Sequence, residues 1–247
     1  MTPYARDERL EVFPDTNALA DRACEWLCAE ALAAVAARGR FTLALSGGST
    51  PRAIYQRLAK HPELPWDRIE LCFGDERTVP PDHPDSNARM AHEALTGQPF
   101  VRAERVHRIR AELPPDEAAS DYEHTLRALF AGQSWPRFDV VLLGLGSDGH
   151  TASLFPHSQA LTERTRWVVA NWVEKLQSQR ITLSYPAINA AARVLFMVAG
   201  EDKAAPLRDV LEGNAESEDI PARGVAPSTG ELSFFVDRTA ATLLQRR

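Results

Sequence analysis

The stretch Val140-Val141-Leu142-Leu143-Gly144-Leu145-Gly146-Ser147-Asp148-Gly149-His150 decides how this chain reads. It begins as a short apolar run of the length and composition of a strand buried on both faces. It ends in a loop of three glycines with Ser147, Asp148 and His150 among them. Glycine admits positive φ and lets a ligand approach the backbone. A buried strand opening into such a loop delivers polar side chains to the carboxyl edge of a sheet, where open α/β folds bind small ligands. His150 is the residue there that exchanges a proton near neutral pH, which makes it the candidate general base.

Working outward, strands and helices alternate. A helix is expected from Asp15 or Thr16 to about Arg38, stopped by Gly39. Phe41–Leu45 reads as a strand, Ser46-Gly-Gly-Ser-Thr50 as the turn after it, and Pro51 opens the next helix. Ile69–Phe73 is a strand that ends at Gly74-Asp75-Glu76-Arg77. A proline-rich loop follows, and Ser86 caps a helix to about Leu95. Pro115–Phe130 is a helix, Phe138–Leu143 the central strand, and Trp167–Ala170 and Arg180–Ser184 shorter strands with room for a small side lobe. Val194–Ala199 is a buried strand, Gly200–Lys203 leads into a helix to about Leu211, and 213–219 is an acidic turn or mobile loop. Leu232–Val236 is a last strand, and Asp237 caps a last helix. The alternation predicts a doubly wound, mostly parallel α/β sheet flanked by helices, with residues 1–247 as one domain.

Composition sets bounds. The 247 residues suffice for a sizeable core, and 44% hydrophobic with 25% charged residues is ordinary for a soluble enzyme. A net charge of -6 argues against a general nucleic-acid binder while leaving room for local cations around an anionic substrate. Cys24 and Cys28 lie four apart on the first helix. No second Cys or His pair completes a zinc site in the sequence, so free thiols in a reducing compartment are expected, with no metal. The N-terminus lacks the apolar core of a signal peptide and no segment is apolar enough to span a bilayer, which predicts a cytoplasmic protein.

Four further places carry chemistry. Gly47, Gly48, Ser49 and Thr50 join a strand to a helix N-terminus, a geometry that binds anions through free N–H groups and the helix dipole. The same residues read equally as a tight strand-to-helix turn. They match neither a dinucleotide fingerprint nor a Walker loop. Asp75 can orient a base or move a proton, and Arg77 can fork onto a hydroxyl or phosphate, although an ion pair at a strand end is the plainer reading. Arg180 opens a short strand. Lys203 sits in a first helical turn, where its charge is misplaced unless an anion is bound. The other histidines, His61 among them, read as surface residues.

Together these segments resemble a known family. Leu45-Ser-Gly-Gly-Ser-Thr-Pro51, Gly74-Asp-Glu-Arg77 with Asp85-Ser-Asn87, Gly144-Leu-Gly-Ser-Asp-Gly-His-Thr-Ala-Ser-Leu-Phe-Pro156, Arg180-Ile-Thr-Leu183 and Gly200-Glu-Asp-Lys203 are similar to segments of the 6-phosphogluconolactonases, in the same order. The phosphate-loop segment is shared with the wider superfamily that includes glucosamine-6-phosphate deaminases. The resemblance implies a modified Rossmann-like fold and hydrolysis of 6-phospho-D-glucono-1,5-lactone in the oxidative pentose phosphate pathway. It implies no cofactor, a small sugar-phosphate lactone as the partner, and a monomer or small homo-oligomer. Residue by residue it implies His150 as the catalytic histidine, Gly47, Gly48, Ser49 and Thr50 as the ligand loop, Asp75 and Arg77 as an acidic–basic pair, and Arg180 and Lys203 as phosphate-side cations. Ala222-Arg-Gly-Val-Ala226 departs from the bulkier or more polar run expected there.

In the mechanism this implies, the 6-phosphate sits near Ser49, Thr50, Arg180 and Lys203, and His150 takes a proton from the attacking water. Either Asp75 or Asp148 orients the imidazole, and the sequence leaves both open. Two other readings compete. A deaminase would use Asp75 as carbon base and release ammonia. A sugar-phosphate sensor would reuse the fold without catalysis, usually beside a DNA-binding segment.

Overall fold

A computed structural model describes residues 9–245. The segment Met1–Glu8, on which the expectation about a signal peptide rests, lies outside the described residues.

Among the described residues, nine strands form two sheets. The larger has six strands, all parallel: β1 (Arg9–Phe13), β2 (Phe41–Leu45), β3 (Ile69–Phe73), β5 (Val140–Leu143), β8 (Arg193–Val198) and β9 (Glu231–Asp237). Their order is β1-β9-β8-β5-β2-β3. The four inner positions hold near-continuous apolar runs, because helices cover a parallel sheet and leave little need for alternation. The smaller sheet is antiparallel, β4 (Asp75–Arg77), β7 (Ser178–Leu183) and β6 (Val168–Val173), in the order β4-β7-β6. It is the side lobe expected within 167–188, and Gly74-Asp75-Glu76-Arg77 supplies one of its strands. β1 was not expected. Its charges and lack of a fully buried residue make Arg9–Phe13 look like loop, and pairing with β9 along an outer edge is what makes it a strand.

Helix α1 (Thr16–Arg38) begins where Asp15 accepts a hydrogen bond from Ala18 N at 2.9 Å. It ends at Gly39, whose φ of 75° closes the last turn onto Val35 O. Its buried stripe of Leu19, Ala20, Ala23, Leu27, Ala31 and Ala34 lets the helix lie close on its neighbours. The remaining helices are α2 (Ser49–Leu58), α3 (Asn87–Ala91), α4 (Pro115–Leu129), α5 (Tyr185–Asn189) and α6 (Ala204–Leu211). Helix α3 is capped by Ser86 as expected, but its continuation over His92–Thr96 is a wider, π-type turn. The expected last helix is absent among the described residues. Instead, Asp237 accepts hydrogen bonds from Ala240 N, Thr16 Oγ1 and Gly200 N, so its carboxylate ties three segments together and leaves residues 239–242 as turns. No helix is long and apolar enough to cross a membrane among the described residues.

Strand order fixes where a ligand fits. From β2 the chain moves outward to β3, then returns to the other side of β2 to lay down β5. The gap between β2 and β5 is therefore a topological switch point, where adjacent loops diverge and leave a crevice at the carboxyl edge. The loop 46–50 leaves β2 and the loop 144–150 leaves β5 at that point.

Two buried tyrosines hold this edge. Tyr55 of α2 donates to Ser46 O at 2.9 Å and accepts from Ser46 N at 2.8 Å. Tyr122 of α4 makes the same pair of bonds with Phe73, at the end of β3. Tyr55→Phe is expected to lower unfolding free energy by about 1–3 kcal/mol, since it leaves a buried N–H and C=O without partners. Chemical denaturation measures this; a loss within error would mean that the hydroxyl does not hold Ser46.

Candidate active site

The crevice is a cavity of about 210 Å³ lined by Ser46, Gly47, Asp75, Arg77, Gly144, Leu145, Gly146, His150, Thr151, Ala152 and Lys203. Five of the ten residues expected in the site line it: Gly47, Asp75, Arg77, His150 and Lys203. Gly48, Ser49, Thr50, Asp148 and Arg180 do not line it but border the segments that do.

His150 lines the crevice with its ring held on two sides. Its Nδ1 lies 2.5 Å from Asp148 Oδ1, and Phe155 stacks on the ring at 4.1 Å between centroids. In the neutral ring, a proton on Nδ1 suits the Asp148 carboxylate and leaves Nε2 as the accepting nitrogen. The hydrogen bond from His150 is the first cause that holds the Asp148 carboxyl well below the usual carboxylate range, and Lys175 Nζ at 3.1 Å adds to it. Gly146 makes room for the imidazole: a Cβ there would lie 2.0 Å from His150 Nδ1. Gly149 takes φ 78° and turns the chain sharply before the histidine.

Asp75 is turned elsewhere. It is buried, and its carboxylate accepts from Ser153 Oγ at 2.6 Å and from Asn87 Nδ2 at 3.3 Å, with no hydrogen bond to His150. Its neighbour Glu76 is buried too and accepts from the N–H groups of Arg77, Asn87 and Ala88. Burial comes first among the causes that raise its pKa, against the lowering effect of those bonds. Glu76 thereby folds the proline-rich loop back onto β4 and sets Asn87 beside Gly47. There the Asn87 carboxamide fills the space that a side chain at Gly47 would need, since a Cβ would lie 1.9 Å from Oδ1.

The cations converge from three segments. Arg77 and Arg180 are directly opposed in the β4–β7 register. Like charges so placed repel, and burial followed by the charge of Arg77 lowers the Arg180 pKa. Among the described residues neither has a carboxylate within ion-pair distance: Arg77 donates to Asp85 O at 2.6 Å, and Arg180 to Ser178 Oγ and Gln179 O. A bound anion would relieve that repulsion. Lys203 ends the turn after Gly200 (φ 105°) and pairs with Asp202 at 2.9 Å. No acceptor among the described residues takes the N–H groups of Gly48, Ser49 or Thr50, as expected for a helix start.

What closes the other side was not legible in the residue pattern. The segment 216–222 packs against the histidine loop, with Ala222 N donating to Gly149 O at 2.9 Å and Ile220 against Gly149. The acidic run is thus a hydrogen-bonded turn through Glu216 O. The departure at Ala222–Ala226 has a packing reason. Ala222 is fully buried, a Cβ at Gly224 would strike the Tyr185 ring, and buried Arg223 donates to Asp209 O, Val210 O and Gly213 O at the end of α6. Small residues and one long cation fit where a bulkier run would not.

Residues 14–234 match the family model described as glucosamine-6-phosphate isomerases/6-phosphogluconolactonase. The chain is 42% identical over 238 residues to a 6-phosphogluconolactonase of Nostoc sp., covering 95% of this chain and 98% of that one. It is 43% identical over 213 residues to the Homo sapiens 6-phosphogluconolactonase, with 84% and 82% covered. Among solved structures, the 6-phosphogluconolactonase from Trypanosoma cruzi superposes with a TM-score of 0.87 at 28% identity and 97% coverage of both chains.

Proposed function

The chain belongs to the glucosamine-6-phosphate isomerase/6-phosphogluconolactonase family, and from that premise we propose that it is a hydrolase that opens 6-phospho-D-glucono-1,5-lactone to 6-phospho-D-gluconate. The observation that carries the reading beyond the family is the oriented imidazole: His150 lines the switch-point cavity with Nδ1 held by Asp148 and no hydrogen bond to Nε2 among the described residues. A base placed so suits attack of water on an activated ester.

The roles follow from charge and reach. Arg77, Arg180 and Lys203, with the amides at the start of α2, hold the 6-phosphate, which carries a charge of about −1.5 to −2. The lactone carbonyl then lies beside His150. Nε2 takes a proton from water as the water oxygen bonds to C1. The tetrahedral oxyanion is stabilised by N–H groups of the glycine loops or by Arg77. As C1 parts from the ring oxygen, the imidazolium returns its proton to that oxygen. The carboxylic acid formed then ionises. Asp148 stays ionised throughout and stabilises the imidazolium. Asp75 ties β4 to Ser153, whose hydroxyl it accepts from, beside the cavity. Both sheets act as one catalytic domain in this scheme. Three free cysteines fit the expected reducing, cytoplasmic setting.

The test is hydrolysis of freshly generated 6-phosphogluconolactone, with the spontaneous rate subtracted, beside ammonia release from glucosamine 6-phosphate. A lactonase rate well above background without ammonia supports the proposal. Ammonia release alone would assign the deaminase, and neither activity would leave the sensor reading. Lys203→Ala or Arg180→Ala is expected to lower kcat/KM for the phosphorylated lactone by about 10–100-fold, the value of one charge-assisted contact. The slow rate on unphosphorylated glucono-1,5-lactone should stay unchanged. An equal loss on both lactones would remove these residues from the phosphate site.

A further inference from the structure

We propose that Cys24, Cys28 and His61 form a zinc-binding site separate from the catalytic crevice. Their ligand atoms all lie within 4.8 Å of one another. The two cysteines stand one helical turn apart on α1, and His61 lies in the turn that follows α2. That turn is at the far end of α2 from the glycine loop, a separation of about 15 Å along a ten-residue helix.

The chemistry of the set is specific. Two thiolates and an imidazole are ligands for a borderline-soft cation, and hard cations such as Mg²⁺ avoid them. The charge of two thiolates balances Zn²⁺. His61 also carries the partner that zinc-bound histidines use: its Nδ1 lies 2.8 Å from Glu63 Oε1. That bond fixes the tautomer and leaves Nε2 as the ligand atom. The His61 backbone is fixed as well, because its carbonyl accepts from Trp66 Nε1 at 2.9 Å.

The distances allow closure. Tetrahedral zinc with Zn–S of about 2.3 Å sets its ligand atoms about 3.5–3.8 Å apart, so the three groups must draw in by up to about 1 Å. Cys28 is half-buried and the His61 side chain is 40% exposed, so both have freedom to rotate, while buried Cys24 is the fixed ligand. Three protein ligands at the surface leave the fourth position to water or a small thiol.

The test uses the full chain, purified under reducing conditions, stripped with a chelator and titrated with Co²⁺ and then Zn²⁺ without oxygen. The expected result is one Co²⁺ per chain with thiolate charge-transfer absorption and the intense visible bands of a tetrahedral ion, bleached by one Zn²⁺. Cys28→Ser and His61→Ala should each weaken zinc by about a hundred-fold or more, and Glu63→Gln by about 10–100-fold. Lactonase rates should be unchanged in all three. His61 and Glu63 are exposed enough to be replaced without loss of fold, which circular dichroism verifies. Absence of the charge-transfer band, or a band unchanged by both Cys28→Ser and His61→Ala, would overturn the site.

Discussion

His150→Ala is expected to lower kcat for the phosphorylated lactone by about 10²–10⁴-fold, the usual worth of a positioned general base. Binding of 6-phosphogluconate should change little, because the proposed phosphate contacts come from Arg77, Arg180 and Lys203. The ring stacks on Phe155 and sits against Gly146, and its removal also deletes the hydrogen bond to Asp148, so unfolding free energy should fall by about 1–2 kcal/mol with the fold retained. The measurement is single-turnover hydrolysis at saturating substrate with product affinity in parallel. A variant that keeps wild-type kcat would show that another group activates the water, and Asp75, which lines the same cavity, would be examined next.

The second large effect is expected at Asp148. Asp148→Asn should lower kcat by about 10²–10⁴-fold, because the carboxylate that sets the histidine tautomer and stabilises its cation is gone; a serine-protease triad loses the upper value for that reason. Asp75→Asn keeps an acceptor for Ser153 Oγ, so its loss should be at least about tenfold smaller. The reverse ranking would make Asp75 the orienting residue. Asp148 also carries a pH-dependent stability term. Its folded-state carboxyl is held below the unfolded value, chiefly by the hydrogen bond from His150. The contribution is therefore complete above the ordinary carboxylate range near ~4 and is lost as pH falls from there toward the folded value. Near neutral pH the wild type should exceed Asp148→Asn by about 1–2 kcal/mol, since the pair is partly exposed, and the gap should close in acid. Denaturation curves across this range measure it, and a gap that widens in acid would contradict the sign.

A sequence can hold all the parts of a site and still conceal it. Cys24 and Cys28 are spaced as neighbours on one helical face, yet His61 reads as a solvated loop residue. Packing of α1 against α2 is what brings the imidazole to the thiols.

Short spans of residues carry enough chemistry to specify the local elements. Apolar runs at 41–45, 69–73, 140–143 and 194–198 became parallel strands. Asp15 and Gly39 bounded α1, and glycine loops followed the strands where the crevice opens. These features depend on neighbours a few residues away, so periodicity and capping chemistry report them. The tertiary structure decided which residues meet. Strand order placed the 46–50 and 144–150 loops together, opposed Arg77 to Arg180, and turned Asp75 toward Ser153 and Asn87. It also made a strand of Arg9–Phe13 and turned Asp237 from an expected helix cap into a tie between β9, α1 and the Gly200 turn. Those outcomes involve partners as far as 221 positions apart. A local pattern states which face of an element is apolar, and it carries no record of what that face will touch.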